Sequence, residues 1–143
     1  MTTLGLRLRP IVTNNSRTRL RRTTLPTGGG PHGTTPLLLL PGDTVNTSIY
    51  ALHRRTDLFG PDADRFRPER WATLRPIWDF VPFSGGPRHY PAQQLARSKI
   101  GYVLARLARG FQGVECRDPV GEFVEVTLTF ESFHGARARL IPA

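Results

Sequence analysis

Residues 92–110, AQQLARSKIGYVLARLARG, place the strongest constraint on what this chain can fold into. Leu95, Ile100, Val103, Leu104, Leu107 and Phe111 recur at three- and four-residue steps, with Arg97, Ser98, Arg106 and Arg109 opposite. That spacing predicts an amphipathic helix over 92–110, ended by Gly110. Everything before it is punctuated: the chain holds 14 Gly and 13 Pro in 143 residues, and 38% of it is hydrophobic. So little apolar surface is thin for a self-sufficient core, because small domains bury a smaller share of their surface. The expected architecture is therefore one long helix among short strands and long ordered loops. Loops of that kind usually hold a functional site or lean on a partner.

The rest of the chain divides at its Gly/Pro clusters. LGLRLR, 4–9, reads as the end of a helix stopped by Pro10, within a first segment of about 1–10. Residues 11–60 read as strands and turns. PTGGGPHGTTP, 26–36, is the long turn between strands, and LLLL, 37–40, and TVNTSIY, 44–50, are strand candidates around the turn PGD. PDADRFRPERW begins an irregular, side-chain-pinned meander over 61–82. FSGGPRHYPA follows as a loop over 83–92, feeding the helix. Residues 111–143 read as strands. FVEVTLTF, 123–130, alternates apolar and polar as a half-buried strand does, with ARARLI, 136–141, as its expected hairpin partner across SFHG.

Charge narrows the function less than its size suggests. The formal net charge is +9, which would ordinarily point to nucleic acid. The basic residues are spread, nearly all arginine, and no aromatics interleave with them as stacking platforms, so no nucleic-acid partner is expected. RTRLRR, 17–22, reads as a solvated strand or loop rather than a phosphate-binding arm. The apolar run PLLLLP is too short to span a bilayer. The N-terminus has no signal-peptide pattern, and the single Cys116 fits a reducing compartment; an intracellular location is expected. Asp57, Asp62 and Asp64 lack the close pairing of an acid–base dyad. His32 and His134 sit in turns, and His53 reads as a packing or capping residue.

Four motifs, in order, carry a resemblance that covers essentially the whole chain. FSGGPRHY, 83–90, resembles the haem-binding loop of the cytochrome P450 family, with Phe83, Gly86 and Arg88 at its Phe, Gly and Arg positions. Tyr90 stands where that loop carries its haem-ligating cysteine, and Ala92 where it ends in glycine. FRPERW, 66–71, resembles the family's meander motif, with Arg70 at the arginine that ties the meander to the preceding helix and Glu69 beside it as part of the structural motif. LGLRL resembles its Glu-x-x-Arg helix, with Arg7 at the arginine and Leu4 in place of the glutamate. TTLPTGGGPHGTTPLLLLPGDTV and YALHRRTDLFGPDADRFRPERW are similar to the fungal alkane and fatty-acid hydroxylase branch.

The resemblance implies an α+β, C-terminal part of the mainly-α cytochrome P450 fold, lacking the segments that precede the Glu-x-x-Arg helix. It further implies haem as cofactor, held through Phe83, Gly86 and Arg88, with Arg17 as a second propionate partner, and a flavoprotein reductase as electron donor. By family the activity would be haem-dependent monooxygenation of fatty-acid, alkane or secondary-metabolite substrates. The residues argue for an inactive chain. A cysteine thiolate pushes electron density toward iron-bound oxygen, whereas a phenol ionises near ~10 against ~8.5 for a thiol and is longer. Tyrosinate ligates haem in catalase, so Tyr90 is the position's expected metal ligand if one is retained. His89 offers an imidazole, expected to point away from Tyr90. Decay of the loop, a local reading-frame change and specialised replacement all fit an alteration confined to 89–92. Two other classes stay open: a non-enzymatic partner of a reductase or parent monooxygenase, and a divergent Tyr-ligated haem protein. Arg7 and Arg70, without an acid at residue 4, are expected to repel rather than clamp.

Overall fold

The computed structural model describes residues 2–119, 124–126, 129–132 and 134–143. Two compact units emerge, one formed by residues 1–13 with 49–143, the other by residues 14–48.

The smaller unit is two nested antiparallel pairs. Strand β1 (Asn14–Thr18) pairs with β4 (Thr44–Ser48), setting Asn14 opposite Ser48 and Thr18 opposite Thr44. Inside them, β2 (Thr23–Gly29) and β3 (Thr35–Leu39) form a hairpin whose register slips between Leu25 and Gly29. Glycine is required there, since a Cβ on Gly29 would lie 2.5 Å from the Pro36 carbonyl oxygen. The PGD turn closes by two contacts to one residue: Asp43 N–H donates to the Leu40 carbonyl at 3.1 Å, and the Asp43 carboxylate accepts from Leu40 N–H at 2.7 Å. Leu39 is the buried apolar side chain of this unit.

The larger unit opens with α1 (Thr2–Leu8), which stops before Pro10 because a proline cannot donate to a continuing helix. Two further helices, α2 (Ile49–Leu52) and α3 (Thr56–Phe59), fall where the sequence reads as strands and turns. Residues 49–52 follow a genuine strand without a break. Ile49 and Tyr50 both donate backbone N–H groups to the Thr13 carbonyl, at 2.8 and 3.2 Å, and this non-local anchor turns the chain into a helix. Gly60, at φ +84°, ends α3.

The core gathers at this junction. Leu6, Leu8, Ile49, Phe59 and Ala63 are buried, and with them two polar side chains, Arg7 and His53, each 0% exposed. A guanidinium and an imidazole at the centre of so small a core demand partners, since an unpaired buried polar group is costly. The meander then runs through α4 (Arg70–Thr73) to a 3-10 turn (Gly86–Arg88) and α5 (Gln93–Gly110).

Strand pairing beyond α5 corrects the expected hairpin. β8 (Ala138–Pro142) pairs with β5 (Phe111–Cys116), not with residues 123–130. Register explains the choice: Ile141 lies over Gly113, where an added Cβ would come within 3.3 Å of it, and Glu115 stands opposite Arg139. β6 (Val124–Val126) pairs instead with β7 (Phe130–Ser132) in its own short hairpin. Residues 123, 127 and 128 of the expected strand lie outside the described residues.

Candidate functional site

The loop 78–92 is built on the buried core. His53 Nε2 accepts the backbone N–H of Val81 at 3.0 Å, tying the loop's stem to the turn after α2. That bond fixes the tautomer: Nε2 is the acceptor, so the neutral ring carries its proton on Nδ1, which finds no partner among the described residues. Burial, reinforced by the nearby Arg7 and Arg54 charges, pushes the His53 pKa down to about 4. Phe80 packs against His53 at 5.0 Å between centroids, and Trp71 meets Phe80 edge-on at 5.0 Å. Three rings in contact, His53, Phe80 and Trp71, thus hold the stem.

The loop itself closes by backbone. Ser84 N–H donates to Val81 at 2.9 Å while Ser84 holds φ +63°, and Tyr90 N–H donates to Phe83 at 2.9 Å. Gly85 admits the Trp78 ring, since a Cβ there would lie 2.4 Å from Trp78 Cζ3. Gly86 sits at φ +72° with nothing within 4 Å of where a Cβ would be. Its face is open.

Phe83, Gly86, Arg88 and Tyr90 are brought together in this loop. The Tyr90 ring stacks on Phe83, 6.0 Å between centroids and 13° from parallel, and the Arg97 guanidinium lies 5.4 Å from the Phe83 centroid. Arg97 is a contact that sequence reasoning left on the polar face of the helix; a cation–π pair from a helix's first turns to the preceding loop has no period to announce it. His89 and Arg88 are exposed. The His89 ring is nonetheless held: Nδ1 lies 2.9 Å from the Gly86 carbonyl oxygen, which the His89 backbone N–H also reaches at 3.1 Å. Arg17 belongs to the smaller unit, exposed, donating to Asn15 Oδ1 at 2.6 Å and to the Ser16 carbonyl at 2.7 Å.

Arg7 and Arg70 form the second cluster. Arg7 donates to the carbonyls of His53 at 2.8 Å and Arg65 at 3.2 Å, over the Phe59 ring. Arg70 donates to the Phe59 carbonyl and to Asp62, reaching its Oδ1 at 2.8 Å. Burial first, and then the Arg70 and Arg54 charges, lower the Arg7 pKa. Both Nε atoms lack partners among the described residues. Two acids offset the cluster: Asp64, which pairs with Arg54 at 3.2 Å, and Asp62, whose carboxyl is held down at about 2 by hydrogen bonds from Arg70 and Arg67. Glu69 precedes α4, exposed, without a side-chain capping bond. Cys116 is exposed on β5.

Comparison with known proteins gives this arrangement a frame. A family model described as Cytochrome P450 matches residues 5–123. The chain is 50% identical over 135 residues to Cytochrome P450 monooxygenase himC of Aspergillus japonicus, covering 94% of this chain and 24% of that protein. It is 47% identical over 136 residues to Cytochrome P450 monooxygenase fsdH of Fusarium heterosporum, covering 95% and 24%. The chain thus spans about a quarter of the length of these curated relatives. Among solved structures, retinoic acid bound cyanobacterial CYP120A1 superposes with a TM-score of 0.81 at 25% identity, covering 99% of this chain and 31% of that one.

Proposed function

The chain belongs to the cytochrome P450 family, a family of haem-dependent monooxygenases, and from that premise we propose that its loop 83–92 is a haem-binding surface without the thiolate that monooxygenation needs. The observation that carries this reading is Tyr90 at the ligand position, with its phenol ring laid on Phe83. Other residues suit a flat, anionic macrocycle. Gly86 leaves its face open, and Arg88 is exposed on the 3-10 turn, with a guanidinium fork suited to a propionate.

Haem, when bound, supplies the redox-active iron; the protein supplies orientation, charge neutralisation and the ligand that tunes it. A thiolate ligand favours O–O cleavage, and no cysteine stands in this loop. The chain is accordingly proposed to bind haem without hydroxylating a substrate. Ligation by Tyr90 fits less well, because its ring would have to leave Phe83. A net charge of +9 supports a second role, docking of an acidic flavoprotein reductase without turnover.

Titration of the full chain with ferric haem, followed by reduction under carbon monoxide, tests the primary reading. Haem uptake is expected, without the red-shifted carbon-monoxide band of a thiolate-ligated iron and without product when reductase is added. Arg88→Ala is expected to weaken haem binding more than Tyr90→Phe. A thiolate-type band, or hydroxylation of a fatty acid, overturns it.

A further inference from the structure

Next to the residue that occupies the ligand position stands one already dressed as a ligand. A carbonyl oxygen only accepts, so the 2.9 Å contact between His89 Nδ1 and the Gly86 carbonyl puts the proton on Nδ1. In the neutral ring Nε2 is then left with its lone pair, on an exposed side chain. An imidazole whose far nitrogen donates to a backbone carbonyl is oriented at the near one, the arrangement protein metal sites use to set a histidine ligand. Here the same carbonyl also takes the His89 backbone N–H at 3.1 Å. Main chain and ring are thus pinned to one atom.

We propose that His89, through Nε2, is the residue of this loop that ligates haem iron. The proposal rests on the reading of the loop as a haem-binding surface and supplies its missing ligand. Tyr90 is committed elsewhere, stacked on Phe83. A phenol must also lose its proton to bind iron, whereas the imidazole in this tautomer offers a lone pair as it stands. Position 89 lies ~3.8 Å along the chain from position 90, and because neighbouring side chains diverge, presenting a ligand from it requires the loop to turn toward the haem. The local sequence supports the exchange. Gly86, at φ +72°, begins the 3-10 turn that brings its carbonyl to His89 Nδ1, and Pro91 follows the pair. The consequence is a haem held by a neutral imidazole, electronically closer to a globin site than to a thiolate one.

The test uses the full chain and ferric haem, read by absorption and electron paramagnetic resonance. Wild-type protein is expected to give an imidazole-type spectrum that Tyr90→Phe leaves unchanged. His89→Ala should lose that spectrum and weaken haem binding by at least the ~10–100-fold seen when a ligand's orienting contact alone is lost. Free imidazole added to His89→Ala should restore the spectrum, which repair of a structural defect would not do. His89→Gln, which keeps a side-chain donor for the Gly86 carbonyl, should behave like His89→Ala and guards against misfolding of the truncated side chain. A phenolate-type spectrum abolished by Tyr90→Phe, or an iron spectrum indifferent to both His89 variants, overturns the proposal while leaving the haem-binding reading intact. Failure of the wild type to take up haem overturns both.

Discussion

His53 shows how one buried side chain couples the core to the loop. Its ring is neutral in the fold because burial holds its pKa at about 4, whereas in an unfolded chain a histidine titrates near ~6.5. Between those values the unfolded state binds more protons than the folded one, so stability falls as pH drops from ~6.5 toward 4 and is fully present above ~6.5. The whole window is worth on the order of 3 kcal/mol. Urea unfolding as a function of pH should show this slope, and His53→Phe should flatten it while lowering stability at neutral pH, because the Val81 N–H loses its acceptor. An unchanged slope in the variant would assign the titration elsewhere. Asp62 adds a separate loss at lower pH, as its carboxyl is protonated between its ordinary range and about 2. Leu4 stands three residues before Arg7 on α1, the spacing of neighbours on one helix face. Leu4→Glu is therefore expected to raise the thermal midpoint, by pairing a guanidinium that burial and the Arg70 and Arg54 charges destabilise. Arg7→Met in the same background should abolish the gain; a Leu4→Glu variant no more stable than wild type would show that Asp62 already satisfies the cluster.

At the scale of elements, the loop's shape depends on a ring entering a glycine's vacancy. Gly85→Ala would set a Cβ 2.4 Å from Trp78 Cζ3, and overpacking of that kind typically costs ~1–3 kcal/mol. The damage should be local: faster amide exchange over 81–90 and altered tryptophan fluorescence. Trp78→Ala in the same chain should relieve it, giving a coupling of at least ~0.5 kcal/mol in a double-mutant cycle; additive losses would place the conflict elsewhere. Such contacts also mark where sequence reading stops. Helix α5 is legible from its own residues, because its period is local. β1, NNSRT, carries no alternation and exists through its register with β4. The sequence alone pairs β8 with the wrong neighbour for the same reason: alternation tells that a segment is a strand but not which strand it meets, and here the Gly113–Ile141 fit decides. In the site, the Arg7–Arg70 repulsion is legible from the missing acid at residue 4. The part played by Asp62 is not, since the meander that carries it has no period, and neither is the fixed tautomer of His89, which depends on the turn at Gly86.

On the scale of the whole molecule, the composition's warning about a thin core has a concrete form. Helix α5 runs eighteen residues without one of them buried. On it Leu95 is 57%, Tyr102 66% and Val103 53% exposed, and in the preceding loop Ile77 and Trp78 are 78% and 67% exposed. Isolated exposed apolar residues are ordinary; a helix that leaves its apolar positions open is not, because amphipathic helices derive most of their stability from packing that face. The full chain is therefore expected to bind a hydrophobic dye strongly and to associate with rising concentration. Because Leu95 and Val103 bury little in the monomer, Leu95→Gln with Val103→Gln should reduce dye binding and association while changing the thermal midpoint by no more than the equivalent of ~0.5 kcal/mol, as for surface substitutions generally. Light scattering across a concentration series, beside the melting curves, separates the outcomes. If the double variant unfolds at a much lower temperature, α5 draws its stability from those side chains, and the exposed face described for it is not the state in solution.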